Sequence, residues 1–222
     1  PPRDRAAIGQ GERDAPVVAV EHGAVAGPAA GTGARCLAAP WRNGGGVTRE
    51  LLRWPADDGW RLRISVADIH TDGPFSVFAG VQRWLTLLRG EGVELTFADH
   101  RQTLRPGDAP LPFDGGEAPG CRLLDGPVRG LNLMARCGAG GVIAATAGVS
   151  WCPPPGAHAG LFARVPGRWG GEGQTKTLAA DSLLWFDETP AGPWRFDAFA
   201  MHATSSAPDG WWLHYQPEGV SS

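Results

Sequence analysis

The segment Pro40–Glu50 combines three consecutive glycines, Gly44–Gly46, with polar side chains on either side. Glycine loses more backbone freedom on ordering than any other residue, so such a run is expected where the chain turns tightly or where another group approaches the backbone closely. The neighbouring amide, hydroxyl, guanidinium and carboxylate groups suit a small polar ligand. We therefore predict a ligand contact here. A glycine-rich loop between strands, with Trp41 as a core anchor, is the structural alternative.

A second polar set lies on an alternating segment. Arg61, Arg63 and Ser65 alternate with apolar residues, so these polar side chains share one face of a strand. We predict that Arg63 and Ser65 face the mouth of a barrel, because an arginine fork binds a carboxylate bidentately. A surface position for Arg63, or an internal salt bridge to Glu50, is the alternative.

Other candidates complete the predicted binding site. Asn132 lies inside an apolar strand, where its amide must have a partner. Arg136 is a second candidate for anion contact, and aromatic residues could form an apolar wall against a planar ligand, although aromatic residues are more often core. The full predicted ligand-binding set is Trp41, Asn43, Gly45, Gly46, Thr48, Arg63, Ser65, Phe75, Asn132 and Arg136.

Familiar catalytic and metal-binding motifs are missing from the sequence. The six histidines form neither a His-x-His pair nor a His-Glu-x-x-His set, so we predict no metal site and no cofactor. There is no Gly-x-Ser-x-Gly nucleophile motif and no phosphate-binding Gly-x-x-x-x-Gly-Lys motif. We therefore predict no catalytic residues.

The elements that must position these residues are short strands. Alternation over Trp60–Val66 is typical of a half-buried strand. Two apolar runs, Trp84–Leu88 and Val93–Phe97, are joined by Arg89–Gly92 and predict a hairpin. Later strand-like runs, bounded by Gly, Pro or Asp, are Val128–Met134, Gly141–Ala145, Ser182–Phe186, Trp194–Phe199 and Trp211–Tyr215.

The spacing of these strands predicts an all-β fold, an antiparallel sandwich or barrel. We expect a poorly ordered extension over residues 1–34, a first barrel over 35–117 and a second over 118–218, with strands that could exchange between them. Tryptophans of the second half are assigned to packing or to a subunit contact, which leaves a homodimer open. They are Trp151, Trp169, Trp185, Trp194, Trp211 and Trp212.

Composition limits the function classes. The chain has 222 residues, 42% hydrophobic residues and a formal net charge of −3, which is typical of a soluble globular protein and gives no indication of nucleic-acid binding. No apolar run approaches the roughly 18 residues of a membrane span, and the N-terminus lacks the apolar core of a secretory signal. The four scattered cysteines fit a reducing cytoplasm. We expect a cytoplasmic protein without nucleic-acid or membrane partners.

Several blocks, in order, resemble the HutD/Ves family. The first is Trp41–Glu50, and the likeness continues through Arg63–Ala67, Asp72–Ser76, Phe78–Val81 with Arg83, and Leu131–Arg136. The resemblance implies a double cupin, linked to bacterial histidine utilisation through binding of a metabolite such as urocanate or N-formylglutamate. It implies no established reaction.

The chain also departs from the family pattern. Gly130-Leu131 stands where the family usually has Asp-Phe, and Cys137 replaces an arginine. An acidic group is therefore missing beside Asn132, which leaves the identity of the ligand open.

The sequence leaves three functions open. The favoured one is a metal-independent protein that binds a small anionic metabolite and senses or buffers an intermediate of histidine breakdown. The alternative is a cupin-fold enzyme, an isomerase or hydrolase of a small organic acid, with Glu50 or a histidine as acid or base. The third is a structural or regulatory partner with a vestigial pocket, which the missing acid at Gly130 favours.

Overall fold

The computed structural model describes residues 20–22, 38–199 and 207–218, and these residues form strands and loops with no helix. The predicted all-β class is confirmed. Accordingly, nothing in the described chain is a helix of the length and apolarity needed to cross a membrane. The strands are β1 (Val20–His22), β2 (Ala38–Pro40), β3 (Gly46–Trp54), β4 (Leu62–Ile69), β5 (Gly73–Pro74), β6 (Gln82–Arg89), β7 (Val93–Thr96), β8 (Arg101–Leu104), β9 (Leu111–Asp114), β10 (Gly120–Leu123), β11 (Val128–Ala135), β12 (Gly138–Ala145), β13 (His158–Ala163), β14 (Gly167–Gly171), β15 (Gln174–Leu178), β16 (Ser182–Phe186), β17 (Arg195–Ala198) and β18 (Gly210–Pro217).

The strands form four sheets that make two barrels. In the first barrel, the six-stranded sheet β2-β3-β4-β11-β6-β9 packs on the four-stranded sheet β5-β10-β7-β8. In the second, the five-stranded sheet β1-β16-β13-β18-β12 packs on the three-stranded sheet β15-β14-β17. The two larger sheets also pack against each other, with Ile64 and Leu133 on one side and Trp211 and Leu213 on the other. The predicted arrangement of two β-barrels in one chain is therefore observed.

Alternation along β4 separates two roles. Leu62, Ile64 and Val66 are fully buried in the cluster shared with the second barrel. The intervening residues, including Arg63 and Ser65, face the interior of the first barrel, because successive side chains of a strand point to opposite faces.

The boundary between the barrels lies later than the sequence predicted. Strands β10 and β11, expected in the second barrel, pair with β7 and with β4 and β6 of the first. By strand pairing, the first barrel therefore ends at Ala135 rather than at residue 117. At the predicted boundary the chain makes a turn, in which the Gly116 amide donates to Asp114 Oδ1.

The predicted hairpin between β6 and β7 is wrong. Strand β6 pairs with β9 and β11, whereas β7 pairs with β8 and β10 in the opposite sheet. Gly90 and Gly92 have φ angles of 99° and 125°, which other residues rarely adopt. They allow the chain to cross from one sheet to the other instead of folding back.

Most of the predicted extension, residues 1–34, lies outside the described residues. Within it, however, Val20–His22 forms strand β1, which runs parallel to β16 and pairs Val20 with Leu183. This short segment therefore belongs to the second barrel's sheet, a position that composition alone did not indicate.

A buried ion cluster also joins the barrels. Arg129 of β11 donates to Asp68 of β4 at 2.5 Å and to Asp181 of the second barrel at 3.3 Å. Arg49 also contacts Asp68, and Arg89 contacts Asp181 at 2.8 Å. Because Arg129 and Asp181 are 4% and 3% exposed at their side chains, these charges are held between the sheets by one another.

The second barrel is filled by aromatic rings. Trp194 lies with its ring centroid 5.3 Å from Trp169, 5.1 Å from Phe186 and 6.1 Å from Trp212. The Trp169 and Trp194 side chains are fully buried, so the second-half tryptophans inside this barrel serve packing.

Candidate functional site

The interior of the first barrel contains a cavity of about 600 Å³. Its floor is the six-stranded sheet, and its walls are the Trp41–Asn43 turn and the segment Pro74–Phe78. Of the predicted ligand-binding residues, the structure brings these to the lining: Trp41, Asn43, Thr48, Arg63, Ser65, Phe75 and Asn132. Gly45, Gly46 and Arg136 do not line the cavity.

The glycine run shapes the turn rather than the cavity surface. Gly44 has a φ of 71°, and its amide donates to the Trp41 carbonyl at 3.0 Å. A Cβ atom on Gly46 would lie 2.4 Å from the carbonyl oxygen of Asp68 and 3.3 Å from the Trp41 ring. Glycine is therefore required by a tight turn and by close packing, and the prediction that Gly45 and Gly46 face a ligand is not supported by their positions.

The same turn fixes Trp41 and Asn43. The Trp41 indole donates to Thr48 Oγ1 at 2.8 Å, and Asn43 Oδ1 accepts from the Gly45 amide at 3.0 Å. Asn43 thus makes the local backbone contact common for asparagine in turns. Its amide nitrogen is not committed by that contact.

Arg63 has an internal partner. Its Nε donates to Glu50 Oε2 at 2.5 Å, while Arg53 holds the same carboxylate through two bonds of 2.8 and 3.0 Å. The salt bridge to Glu50, the alternative left open by the sequence, is therefore present, and Arg63 still lines the cavity.

Glu50 is consequently held as a carboxylate. Burial acts to raise the pKa of Glu50, but the hydrogen bonds and charges of Arg53 and Arg63 outweigh burial and lower it. A carboxylate with a lowered pKa is a weak general acid or base near neutral pH. The acid–base role considered for Glu50 thus has no support from its surroundings.

Arg83, not predicted as a site residue, is the most informative residue of the cavity. It lines the cavity at 5% exposure. Its Nε and Nη1 atoms are buried and have no hydrogen-bond partner in the described part of the chain. Its guanidinium carbon lies 4.8 Å from the Phe113 ring, 5.2 Å from Phe75 and 5.7 Å from Phe78. Three aromatic faces therefore surround a cation that no carboxylate of the described residues neutralises.

Arg83 stays charged at neutral pH. Burial, with the positive charge of Arg63 as the second cause, lowers the pKa of Arg83 to about 10. A buried ion without a partner carries a desolvation penalty of several kcal/mol, only part of which cation–π contacts offset. The sequence did contain a signal for this residue, since alternation puts Arg83 on the same strand face as Leu85 and Leu87.

Asn132 offers a hydrogen-bond acceptor on the floor of the cavity. It pairs with Ser65 on one side and with Leu85 on the other. Its buried Oδ1 has no hydrogen-bond partner among the described residues. The partner that the sequence required is therefore not a protein donor in this structure.

Two further positions differ from expectation. Arg136 lies over the Trp60 ring, with 4.2 Å from its guanidinium carbon to the ring centroid, outside the cavity. Gly130, where the family pattern has an acid, lines the cavity beside Asn132 and contributes no side chain.

The segment over the cavity is tied down at both ends. The Phe75 amide donates to the Pro119 carbonyl at 3.0 Å, and the Phe78 amide donates to the Gly115 carbonyl at 2.7 Å. Between these anchors Val77 is 66% exposed. The segment thus holds two of the three rings around Arg83.

The cavity can bind an anion and offer an acceptor to a donor group. Among the described residues, its lining contains three arginines, Arg42, Arg63 and Arg83, and no aspartate or glutamate. Among the described residues, no three His, Cys, Asp or Glu side chains are grouped so that they could hold a metal ion.

Comparisons with known proteins agree with this architecture. A family model described as HutD matches residues 34–200. An uncharacterised 21.2 kDa protein in the hutC 3' region of Pseudomonas putida is 43% identical over 98 residues, 43% of this chain and 51% of that protein. Protein Ves of Escherichia fergusonii is 35% identical over 99 residues, 44% of this chain and 52% of that protein. The matched stretch thus spans about half the length of these curated relatives.

Two solved structures share the fold over most of their length. A conserved protein of unknown function from Pseudomonas aeruginosa has a TM-score of 0.65 and 29% identity, covering 81% of this chain and 91% of its own. HutD from Pseudomonas fluorescens has a TM-score of 0.63 and 23% identity, covering 82% of this chain and 95% of its own.

Proposed function

The chain belongs to the HutD family, and we propose that the cavity of its first barrel binds a small carboxylate metabolite. The proposed ligand is of the urocanate or N-formylglutamate type, and the proposed role is to sense or buffer an intermediate of histidine breakdown, in the regulation of histidine utilisation. The proposed activity is binding without chemical conversion. The single observation that carries this proposal is Arg83, a buried cation without a partner that lines a cavity.

The energetics of Arg83 favour a ligand over a structural role. A residue retained only for packing would cost less as leucine or methionine, because neither has a charge to desolvate. A ligand carboxylate would satisfy the unpartnered Nε and Nη1 atoms through charge-assisted hydrogen bonds. The aromatic faces around the guanidinium exclude water from that contact and strengthen it.

Asn132 supports a particular kind of carboxylate. Its Oδ1 atom can only accept hydrogen bonds, so a ligand that satisfies it must carry an N–H or O–H group. Urocanate offers an imidazole N–H and N-formylglutamate an amide N–H. Arg83 and Asn132, whose buried polar atoms lack partners among the described residues, together favour a ligand that has a carboxylate and a neighbouring N–H group.

Calorimetric titration tests the proposal. We expect purified protein to bind urocanate or N-formylglutamate, and Arg83→Met to weaken binding by about 1.5–3 kcal/mol, the value of a hydrogen bond to a charged group. Arg122→Met is the matched control, because Arg122 lies on the outer sheet of the same barrel and pairs with Glu94 at the surface. If neither compound gives heat of binding with a sample shown by circular dichroism to be folded, the ligand assignment is rejected.

A further inference from the structure

We propose that the cavity is selective for ligands with two acid groups, with Arg83 binding the first and Arg63 the second. Glu50 competes for Arg63 from inside the protein and thereby sets the affinity for the second group. This inference rests on the proposed function, because it specifies the ligand of that same cavity.

The two arginines stand in one row across the floor. Met134 of β11 pairs with Arg63 of β4 on one side and with Arg83 of β6 on the other. All three residues line the cavity. Neighbouring strands lie about 4.8 Å apart, so the two arginine backbones are about 10 Å apart. Long side chains that converge on one cavity can reach the two ends of a short diacid from these positions.

The charge balance of the row favours more than one negative charge. Arg53 pairs with Arg63 across β3 and β4 and extends the row, so that Arg53, Arg63 and Arg83 contribute three positive charges. Among the described residues, Glu50 is the only carboxylate in a salt bridge with any of these three arginines. In the part of the chain that the structure describes, no acidic residue lines the cavity itself. One ligand carboxylate on Arg83 would leave a positive charge unbalanced, whereas two would balance the row.

Arg63 has donors to spare. Its Nε is committed to Glu50, while its two terminal nitrogens have no partner among the described residues. Glu50 keeps two bonds to Arg53 even when Arg63 turns away. A ligand carboxylate can therefore share or capture Arg63 without leaving Glu50 unpaired.

A matched pair of ligands provides the test. N-formylglutamate and N-formylglutamine have nearly the same shape, but the second has an amide in place of one carboxylate. We expect calorimetry at low ionic strength to give a dissociation constant for N-formylglutamine at least tenfold higher than that for N-formylglutamate. Urocanate, with one carboxylate, should also bind more weakly than N-formylglutamate.

Two variants assign the effect to Arg63 and Glu50. Arg63→Gln should weaken the binding of N-formylglutamate about tenfold or more and leave the affinity for N-formylglutamine within twofold of wild type. The variant then no longer discriminates between the two compounds. Glu50→Gln should increase the affinity for N-formylglutamate severalfold, because Glu50 no longer competes for Arg63. The affinity for N-formylglutamine should increase less. Thermal unfolding of each variant checks that it is folded at the titration temperature.

The outcomes separate this inference from the proposed function. Equal affinity of wild-type protein for both N-formyl compounds would overturn the two-acid selectivity and keep the binding function. A similar loss for both compounds in Arg63→Gln would overturn the role of Arg63. No binding of any of the three compounds to folded protein would overturn both proposals.

Discussion

The two barrels have similar architecture and opposite interiors. In the second barrel, the inner faces carry Trp169, Trp194 and Trp212, and their rings occupy the space between the sheets. In the first, the corresponding space is packed only in part, by a cluster that includes Leu95 and Phe97. The remainder is a cavity with Arg83 in its wall.

This difference separates stability from function. Aromatic rings that fill a barrel remove a large apolar area from water and pack in favourable tilted or edge-to-face arrangements. A cavity gives up those contacts, and a buried unpaired cation adds a further cost. We infer that the second barrel stabilises the molecule, while the first keeps a less stable arrangement, as the proposed binding function requires.

The largest expected effect is the loss of stability when an aromatic ring is removed from the second barrel, called the filled barrel below because rings occupy its interior. Trp194→Ala should lower the free energy of unfolding by about 3–5 kcal/mol, because a fully buried ring with four aromatic neighbours leaves a void. Trp41→Ala is the corresponding change in the first barrel. Because the Trp41 ring borders a cavity that already exists, its removal should lower the free energy of unfolding by less. Urea denaturation of both variants measures the difference, and equal losses would contradict the proposed division between the barrels.

Two glycines sharpen the comparison. A Cβ on Gly171 would lie 2.7 Å from Trp169 and 2.8 Å from Trp194, whereas a Cβ on Gly130 would meet its nearest atom, Leu85 Cδ1, at 3.1 Å. We expect Gly171→Ala to cost about 1–3 kcal/mol through overpacking. Gly130→Ala should change stability by less than about 1 kcal/mol, since the added methyl group borders the cavity and the strand loses a flexible residue. A larger cost at Gly130, measured by the same denaturation, would mean that the cavity floor is packed as tightly as the filled barrel.

Arg83 links the cavity directly to stability. Arg83→Met should raise the free energy of unfolding by about 1–2 kcal/mol in the absence of ligand, because an apolar side chain of similar length removes the desolvation cost. Arg122→Met, at the surface, should stay within about 0.5 kcal/mol of wild type. Thermal denaturation checks this prediction. A loss of stability in Arg83→Met would indicate that the aromatic contacts fully offset burial, and the main argument for a ligand would then fail.

Local patterns in the sequence predicted much of the site. Alternation placed Arg63 and Ser65 on one face of β4, and both line the cavity. Asn132 was identified because an amide within an apolar strand needs a partner. Such predictions succeed where one strand decides the outcome, since the faces of a strand follow from its period of two.

The rest depended on pairing between distant segments. Alternation puts Arg83 on an inward face, but its lack of a partner and its contacts with aromatic rings become apparent only when β6 lies beside β11 and the Phe75–Phe78 segment covers it. The misassigned hairpin has the same origin, because Gly90 and Gly92 send the chain to the opposite sheet. Likewise, the choice between Glu50 and a ligand as the partner of Arg63 depends on the register of β3 against β4, which has a bulge between Glu50 and Leu52.

The smallest expected effect concerns the ion cluster that joins the barrels. Burial raises the pKa of Asp181, and the charges of Arg89 and Arg129 only partly oppose this rise. At the Asp181 carboxyl, the folded state therefore holds more proton than the unfolded chain as pH rises above 3.8, and the contribution of Asp181 to stability falls as pH rises through its folded pKa. Asp181→Asn removes this dependence without changing the shape of the side chain, and asparagine tolerates the φ of 56° at this position. Relative to wild type, the variant should become progressively more stable between about pH 4 and pH 7.

Urea denaturation over that range measures the trend, with Asp125→Asn as a control for the loss of one exposed carboxylate. The opposite trend would mean that Arg89 and Arg129 stabilise the Asp181 carboxylate more than burial opposes it, so that the ion cluster strengthens the contact between the two barrels at neutral pH.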